Sequence, residues 1–266
     1  MKLRLKWTDA LSVRWSKSCL ELARVDIPHD LRQRIRDAKS VTVMTGAGVS
    51  AESGVPTFRD AQTGLWEKYD PMQLATPEAF HSDPGLVWDW YQWRRKLIAD
   101  TAPNPGHVAL VDMARLIPEL VLVTQNVDGL HQRAGSENPV ELHGNLNRAK
   151  CTRCSRQETG FDLEGIPKCG ECGALLRPDV VWFGEALPTS ALRRATESAL
   201  RCELFFSIGT SSQVYPAADL PLQAQAAGAL TLEINPQVTP LSDRADYVLR
   251  GTSGEVLPAL VQQVWS

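Results

Sequence analysis

Residues 46–60 read Gly46-Ala47-Gly48-Val49-Ser50-Ala51-Glu52-Ser53-Gly54-Val55-Pro56-Thr57-Phe58-Arg59-Asp60, and they follow a short apolar run at 41–44. The apolar run indicates a buried strand, and two glycines one residue apart indicate a turn without side chains after it. This pattern opens a dinucleotide-binding βα unit, in which backbone N–H groups hold a pyrophosphate. Ala51 replaces the third glycine of the usual fingerprint. The pattern alone is weak, because ordinary turns also contain it.

The composition is that of an ordinary globular protein. The chain has 266 residues, of which 43% are hydrophobic and 22% charged, and its net charge is −3. This length allows one large domain, or a large domain with a small one. The charge argues against a dedicated nucleic-acid-binding protein, which would carry a strongly basic domain. Apolar runs fall short of the roughly 20 residues that cross a bilayer, and a secretory signal is lacking at the N-terminus, so we expect no membrane partner.

Short apolar runs alternate with helical stretches along the chain. The runs lie at 41–44, 120–123, 204–208, 230–234 and 247–249, and the helical stretches include 30–38, 106–116, 217–227 and 255–265. Such alternation predicts a doubly wound α/β fold with a parallel sheet buried on both faces. Ligands of such sheets bind beyond the carboxyl ends of the strands. Four of the runs lead to Gly46, Gln125, Gly209 and Asn235, which become candidate site residues.

Two segments interrupt the alternation. Residues 60–100 are rich in Trp and Tyr, and 145–180 contain closely spaced cysteines. We expect these insertions to form a small lobe, and 30–59, 101–144 and 181–266 to form the large one. Residues 1–29 are predicted to be a loosely ordered tail outside the folded unit 30–266; a basic transit segment is the alternative.

The cysteines predict a metal site. Cys151 and Cys154 form one Cys-x-x-Cys pair, and Cys169 and Cys172 form another. Four thiolates in two close pairs suit one tetrahedral, structural zinc ion. This usage also indicates a reducing compartment rather than a disulfide framework. We expect the cytoplasm, or the mitochondrion if the tail is a transit segment.

In chain order, residues 46–60, Gln125-Asn126-Val127-Asp128, His143-Gly144, the cysteine pairs and Gly209-Thr210-Ser211 resemble the sirtuins. The resemblance covers residues 32–264, and the cysteines fall in the gap where that family has its zinc module. It implies a Rossmann-like sheet with a smaller zinc-binding and helical lobe, and NAD as a co-substrate. An acidic ribose ligand about 20 residues after the glycines, expected of NAD dehydrogenases, has no good candidate, which agrees with NAD bound as a substrate.

The resemblance implies roles for individual residues. His143, which taken alone would more often be structural, matches the general base, and Asn126 is the second catalytic candidate. The positions matching the cofactor site are Gly46, Ala47, Gly48, Ser50, Ala51, Glu52, Pro56, Thr57, Phe58, Arg59, Leu65, Trp66, Gln125, Asn126, Val127, Asp128, Gly209, Thr210, Ser211, Asn235, Pro236, Gln237 and Ser253.

A second set of residues concerns the acyl substrate. Tyr91 and Arg94 lie three apart in a predicted helix, so they share one face. They match the Tyr-x-x-Arg of the sirtuins that remove succinyl and malonyl groups, and Ala75 matches the small residue that widens their acyl pocket. Arg95 is a rival for the acyl carboxylate, but it lies about 100° around the helix from Arg94. The positions expected to line the peptide groove are Val181, Phe183, Gly184, Glu185, Val214 and Tyr215.

The resemblance therefore implies NAD-dependent removal of acyl groups from protein lysines, with release of nicotinamide, O-acyl-ADP-ribose and free lysine. Two alternatives stay open from the sequence: protein mono-ADP-ribosyl transfer, and a catalytically idle NAD-binding or zinc-ribbon adaptor. The expected partners are acylated lysine side chains of proteins, and we expect a monomer.

Overall fold

The computed structural model describes residues 25–57, 69–160 and 165–266. Strands within these ranges are β1 (Ser40–Thr45), β2 (Glu119–Thr124), β3 (Val140–Glu141), β4 (Gly144–Cys151), β5 (Gln157–Glu158), β6 (Leu176–Val180), β7 (Leu204–Ile208), β8 (Leu230–Ile234) and β9 (Tyr247–Leu249). The α-helices are α1 (His29–Asp37), α2 (Gly48–Ala51), α3 (Pro71–Leu74), α4 (Pro77–Ser82), α5 (Pro84–Ala99), α6 (Pro105–Leu116), α7 (Leu130–Ala134), α8 (Thr189–Arg201), α9 (Leu220–Ala226) and α10 (Ser253–Trp265).

The main sheet is parallel and has the strand order β3-β2-β1-β7-β8-β9. One face packs against α1, α6 and α10, through residues such as Leu110 and Leu257. The other face packs against α8 and α9, through residues such as Ala199 and Leu220. The prediction of a doubly wound sheet is therefore confirmed. The strand β3 was not predicted, because two residues are too short to show a period.

The glycines of the first loop serve a different purpose from the one predicted. Neither Gly46 nor Gly48 has a positive φ, so the turn itself does not require them. A Cβ at Gly46 would lie 2.7 Å from Thr210 Cα, and a Cβ at Gly48 would lie 2.8 Å from Gly209 O. The glycines are needed because the loops after β1 and β7 touch through their main chains.

The smaller lobe combines a second sheet with helices. Its three antiparallel strands have the order β5-β4-β6, and they pack on the cysteines and on Trp88 of α5. Helices α3–α5 pack against Trp182, which follows β6, and form a separate apolar cluster with it. No helix among the described residues is long and apolar enough to span a membrane.

The predicted tail at 1–29 falls mostly outside the described residues. Its last part, 25–28, is described, and Ile27 is 2% exposed within the core of the main sheet. Gln263 Nε2 donates to Val25 O at 3.0 Å. The packed part of the chain therefore includes residues before 30.

Candidate active site

The loops after β1, β2, β7 and β8 are joined by polar side chains at the carboxyl edge of the main sheet. Gln125 Nε2 donates to Thr210 Oγ1 at 3.1 Å, and Asn235 Nδ2 donates to Thr210 O at 2.8 Å. Asn126 Nδ2 donates to Gly46 O at 3.0 Å. The candidate residues of four separate segments thus lie in one place, where doubly wound folds bind ligands.

Asn126 also connects to a buried polar chain. Its Nδ2 donates to Ser50 Oγ at 3.2 Å, and Ser50 Oγ lies 3.4 Å from His107 Nε2. His107 Nδ1 accepts the N–H of Asn104 at 3.3 Å, which completes a capping box at the start of α6. Since Nδ1 is an acceptor, the proton of the neutral ring is on Nε2, and Ser50 accepts from both neighbours. Burial lowers the pKa of His107.

Glu52 and Ser253, both predicted at the cofactor site, are bonded to each other. Ser253 Oγ donates to Glu52 Oε2 at 3.0 Å, and the N–H of Gly254 donates to the same oxygen at 2.7 Å. The carboxylate of Glu52 therefore caps the N-terminus of α10, a favourable position for a negative charge. This fixes α2 against α10 next to the first loop.

The carboxylate of Asp128, which follows β2, accepts a hydrogen bond within its own turn. It is 5% exposed, and its Oδ1 accepts the N–H of Leu130 at 2.8 Å. Gly129, between them, has φ +75°. His131, one turn further on, contacts Thr45 Oγ1 through Nε2 at 2.9 Å, and burial lowers its pKa to about 3, so it is neutral and part of the core.

His143 is held at one ring nitrogen. Its Nδ1 lies 3.0 Å from Gln125 O, and because a carbonyl only accepts, Nδ1 carries the proton and Nε2 has a lone pair. Burial lowers the pKa of His143, and the hydrogen bond to Gln125 opposes that shift. A neutral imidazole with an unprotonated Nε2 can accept a proton near pH 7.

Tyr91 and Arg94 lie on one face of α5, next to Trp182. Tyr91 is 4% exposed, and its hydroxyl accepts the indole N–H of Trp182 at 2.9 Å. The guanidinium of Arg94 lies 5.3 Å from the centre of the Trp90 ring. Burial lowers the pKa of Arg94, whereas the nearby Tyr91 and Asp128 raise it.

Arg95 has a different role from that of its neighbour. Its Nη1 donates to Gln92 Oε1 at 2.9 Å, and its Nη2 donates to Arg148 O at 3.4 Å. Its Nε donates to Leu146 O. Arg95 therefore binds the main chain of β4 and fixes α5 against the sheet β5-β4-β6 of the smaller lobe.

The predicted groove residues follow β6 and β7. The N–H of Val181 donates to His143 O at 2.9 Å, and the N–H of Phe183 donates to Ala75 O at 2.9 Å. Gly184 has φ +86°. The Glu185 carboxylate is not open, since Arg177 Nη2 donates to it at 2.9 Å and the N–H of Trp182 at 2.8 Å.

Val214 and Tyr215, expected on the other side of the groove, are 38% and 67% exposed. Exposed apolar side chains of this size are available to contact a peptide.

The four cysteines of the smaller lobe form one cluster. Their sulfurs all lie within 4.8 Å of one another, and Cys151–Cys172 and Cys154–Cys169 are 3.4 and 3.7 Å apart. Tetrahedral zinc with Zn–S bonds of about 2.3 Å separates its sulfurs by about 3.8 Å. The four thiolates are thus positioned to hold a zinc ion. Cys202 lies apart from them, bonded to Ala199 O at 3.3 Å.

For the other predicted cofactor residues, the structure bears on the predicted role only through their location. Phe58, Arg59, Leu65 and Trp66 lie outside the described residues. Those on the surface or half-buried in the loops of the carboxyl edge are Ala47, Ala51, Pro56, Thr57, Val127, Ser211, Pro236 and Gln237. Ser212, which was not predicted, has a buried Oγ without a hydrogen-bond partner among the described residues. Together with the carboxamides and hydroxyls of this edge, such an atom suits a ligand rich in hydroxyl and amide groups, as a dinucleotide is.

Two ionic groups around the site were missed from the sequence. Arg148 bridges Glu141, at 2.6 Å, and Asp179, at 2.9 Å, and so ties β4 to the strands that flank His143. Glu233, 1% exposed on its side chain, lies 3.4 Å from Arg250, whose Nη1 also donates to Gln237 O at 2.6 Å. From sequence alone, charged residues are expected at the surface. These ion pairs join residues that are distant in sequence, so no local pattern identifies them.

Fold and site together define a nucleotide-binding α/β enzyme with an attached zinc module, and comparisons with known proteins agree. The Sir2 family profile matches residues 46–216. The chain is 48% identical over 248 residues to the NAD-dependent protein deacylase of Methylococcus capsulatus, covering 90% of this chain and 97% of that protein. It is 51% identical over 210 residues to the NAD-dependent protein deacylase of Aquifex aeolicus, covering 78% and 87%.

Solved structures give the same result. A Sir2 homologue in complex with NAD superposes with a TM-score of 0.85 at 46% identity, covering 90% of this chain and 94% of that one. A Sir2 homologue variant with 2′-O-acetyl-ADP-ribose superposes with a TM-score of 0.83 at 46% identity, covering 90% and 96%. The chain belongs to the Sir2 family, the sirtuins, and is an NAD-dependent protein deacylase.

Proposed function

We propose that this deacylase acts on lysines that carry short acidic acyl groups, succinyl and malonyl, in preference to acetyl-lysine. The observation that carries the proposal is the pair Tyr91 and Arg94 on one face of α5, a phenol and a guanidinium within the smaller lobe. A guanidinium binds a carboxylate with two parallel hydrogen bonds, which a neutral acyl group cannot accept.

The residues at the carboxyl edge of the main sheet would hold NAD. When bound, NAD supplies a ribose carbon that bears nicotinamide as a leaving group. Gln125, Asn126 and Asp128 offer the donors and acceptors for its ribose hydroxyls and carboxamide. The Nε2 of His143 accepts a proton from a hydroxyl, since its Nδ1 is already bonded to Gln125 O.

The acyl-lysine would enter between the two lobes. The N–H groups of Phe183 and Glu185 donate to Ala75 O and Trp182 O, which fixes the main chain of this turn where a peptide would add as a strand. Ala75 is 3% exposed and lies beside this turn. A methyl group there leaves more space for an acyl chain than a larger side chain would.

The test is a comparison of peptides that differ only at one lysine. Purified protein is incubated with NAD and acetyl-, malonyl-, succinyl- or unmodified peptide, and nicotinamide release and peptide mass are followed. We expect a lower KM for succinyl and malonyl peptides than for acetyl peptide. An equal or higher KM for the acidic peptides would contradict the proposal, and a mass gain of ADP-ribose on the unmodified peptide would instead indicate mono-ADP-ribosyl transfer.

We also propose that the protein acts as a monomer in the cytoplasm, without a dedicated nucleic-acid partner. The net charge of −3 disfavours a nucleic-acid partner, and the use of cysteines in a metal cluster fits a reducing compartment; the monomer is an expectation without a structural observation behind it. Light scattering at working concentration and fractionation of cells would test both parts.

A further inference from the structure

Trp182 links Tyr91 of α5 to the turn at 183–185. It is 2% exposed, and it lies between β6 and the turn at 183–185. Its indole N–H donates to the Tyr91 hydroxyl at 2.9 Å, and the two ring centres are 6.5 Å apart. An indole N–H can only donate, so the direction of this hydrogen bond is fixed: the phenol oxygen is the acceptor.

This direction decides where the Tyr91 proton points. A phenol has one proton, and the side of its oxygen that faces Trp182 is used for accepting, so the O–H must point elsewhere. Within the described ranges, the Tyr91 hydroxyl donates to no other group. Burial raises the pKa of Tyr91 to about 12, so the hydroxyl keeps its proton at neutral pH. It is a donor in a buried place and needs an acceptor, which a carboxylate supplies.

The Trp182 ring is itself held in one orientation. The guanidinium carbon of Arg177 lies 3.2 Å from the ring centre, and Arg177 also donates to Val180 O and to Glu185 at 2.9 Å each. Phe80 packs on the ring at a centre-to-centre distance of 5.4 Å. The indole therefore cannot turn away from Tyr91 without breaking the contacts that shape the turn at 183–185.

We propose that Trp182 is a positioning residue for acyl specificity, whose indole N–H directs the Tyr91 proton toward the carboxylate of the acyl group. The inference rests on the proposed preference for acidic acyl groups. It assigns Trp182 an effect on acidic substrates only, because a neutral acyl chain has no acceptor for the Tyr91 proton.

The experiment compares two acyl chains of the same length in the full-length protein. Succinyl-lysine ends in a carboxylate, and butyryl-lysine ends in a methyl group at the same place. Trp182→Phe keeps an aromatic ring and removes the N–H. We expect the KM for succinyl peptide to rise about fivefold, the effect of one hydrogen bond, with kcat and the butyryl KM within about twofold of wild type. Tyr91→Phe should give a rise of similar or larger size, and the double variant should add nothing to it.

Three outcomes would overturn the inference. An equal rise for both substrates would mean that Trp182 only packs. If the wild type prefers succinyl peptide but Trp182→Phe leaves the succinyl KM unchanged, Trp182 has no role in acyl specificity, and the proposed function still holds. A wild type that does not distinguish succinyl from butyryl would remove the proposed function and the inference with it.

Two controls separate the hydrogen bond from packing. Phe80→Leu loosens the contact with the Trp182 ring without touching the N–H, so it should affect both substrates alike. If Trp182→Phe fails to fold, benzothienylalanine can replace Trp182, because its sulfur removes the N–H from a ring of nearly the same size. The same rise in succinyl KM is expected, and its absence would overturn the inference.

Discussion

All five residues of β7 are buried in the main sheet, whereas the zinc-side cluster of the smaller lobe has five buried residues in total, two of them cysteines. The main sheet is stabilised by apolar strands covered on both faces. Besides the apolar cluster that α3–α5 form with Trp182, the smaller lobe is stabilised by four thiolates and by arginines that bond to main chain and carboxylates, namely Arg95, Arg148 and Arg177.

The difference extends to the two halves of the site. At the carboxyl edge, the described side chains of Gln125, Asn126 and Asn235 bond to neighbouring loops. On the acyl side, Tyr91 has a buried donor that needs a partner. If the proposed function holds, variants at the acyl site of the smaller lobe should change selectivity, whereas variants at the carboxyl edge of the main sheet should change turnover.

Loss of the metal should produce the largest effect and affect the smaller lobe alone. Structural zinc contributes about 10–16 kcal/mol in small zinc peptides, so Cys169→Ser should abolish zinc binding and deacylation while most helix signal in circular dichroism remains. Cys202→Ser is the matched control, since that thiol lies outside the cluster and should leave zinc content unchanged. Full activity of Cys169→Ser in zinc-free protein would contradict the structural role of the metal.

Loss of the proposed general base, His143, should lower kcat. His143→Ala is expected to reduce kcat by about 10²–10⁴-fold, the contribution of a positioned acid or base, with NAD affinity close to that of wild type by calorimetry. His81→Ala, an exposed histidine of α4, should have no effect. Near-normal kcat in the His143 variant would remove this residue from the chemistry.

Loss of the carboxylate-binding group should act on selectivity. Arg94→Met is expected to raise the KM for succinyl peptide about 10- to 100-fold, the contribution of a charge-assisted hydrogen bond, and to leave acetyl peptide unchanged. Arg95→Met is the matched control, because its guanidinium bonds to the main chain of β4; it should lower thermal stability and impair both substrates. If Arg94→Met weakened both substrates equally, Arg94 would be holding the fold.

The pH dependence should be the mildest of these effects. Burial lowers the pKa of His143 from its usual 6.5, so the base is neutral at pH 7 and above, and it gains a proton only as the pH falls below 6.5. We expect kcat/KM to be level from about pH 7 to 8 and to fall by up to about tenfold per unit on the acid side. A decline that begins above pH 7 would contradict the lowered pKa.

Sequence reasoning succeeded where a pattern repeats. The strands of the main sheet show as apolar runs, the cysteine pairs show as spacing, and the helix with Tyr91 and Arg94 shows which residues share a face. It failed where a contact joins distant segments. Gly46 and Gly48 are required because their main chain lies against Gly209 and Thr210. The local sequence suggests only a turn and does not reveal this contact.

Some side-chain partners are also hidden from the sequence. Glu52 and Ser253, both expected at the cofactor site, bond to each other across 201 positions of sequence. Arg148, for which the sequence indicated no role, bridges β4 to Glu141 of β3 and Asp179 of β6. A local pattern does not reveal such partners, because a charged side chain in a sequence looks the same whether it faces solvent or another charge.

The contact between the loops after β1 and β7 has a consequence for biosynthesis. Gly46 and Gly209 are separated by most of the chain, yet β1 pairs with both β2 and β7. A ribosome-bound chain that has not yet emerged past residue 209 lacks the second loop, and the first loop has no surface against which to settle. Fragments that end before β7 should therefore be unable to bind NAD, however well the early helices form. The binding site becomes complete late, once an entropically costly long-range closure has been made.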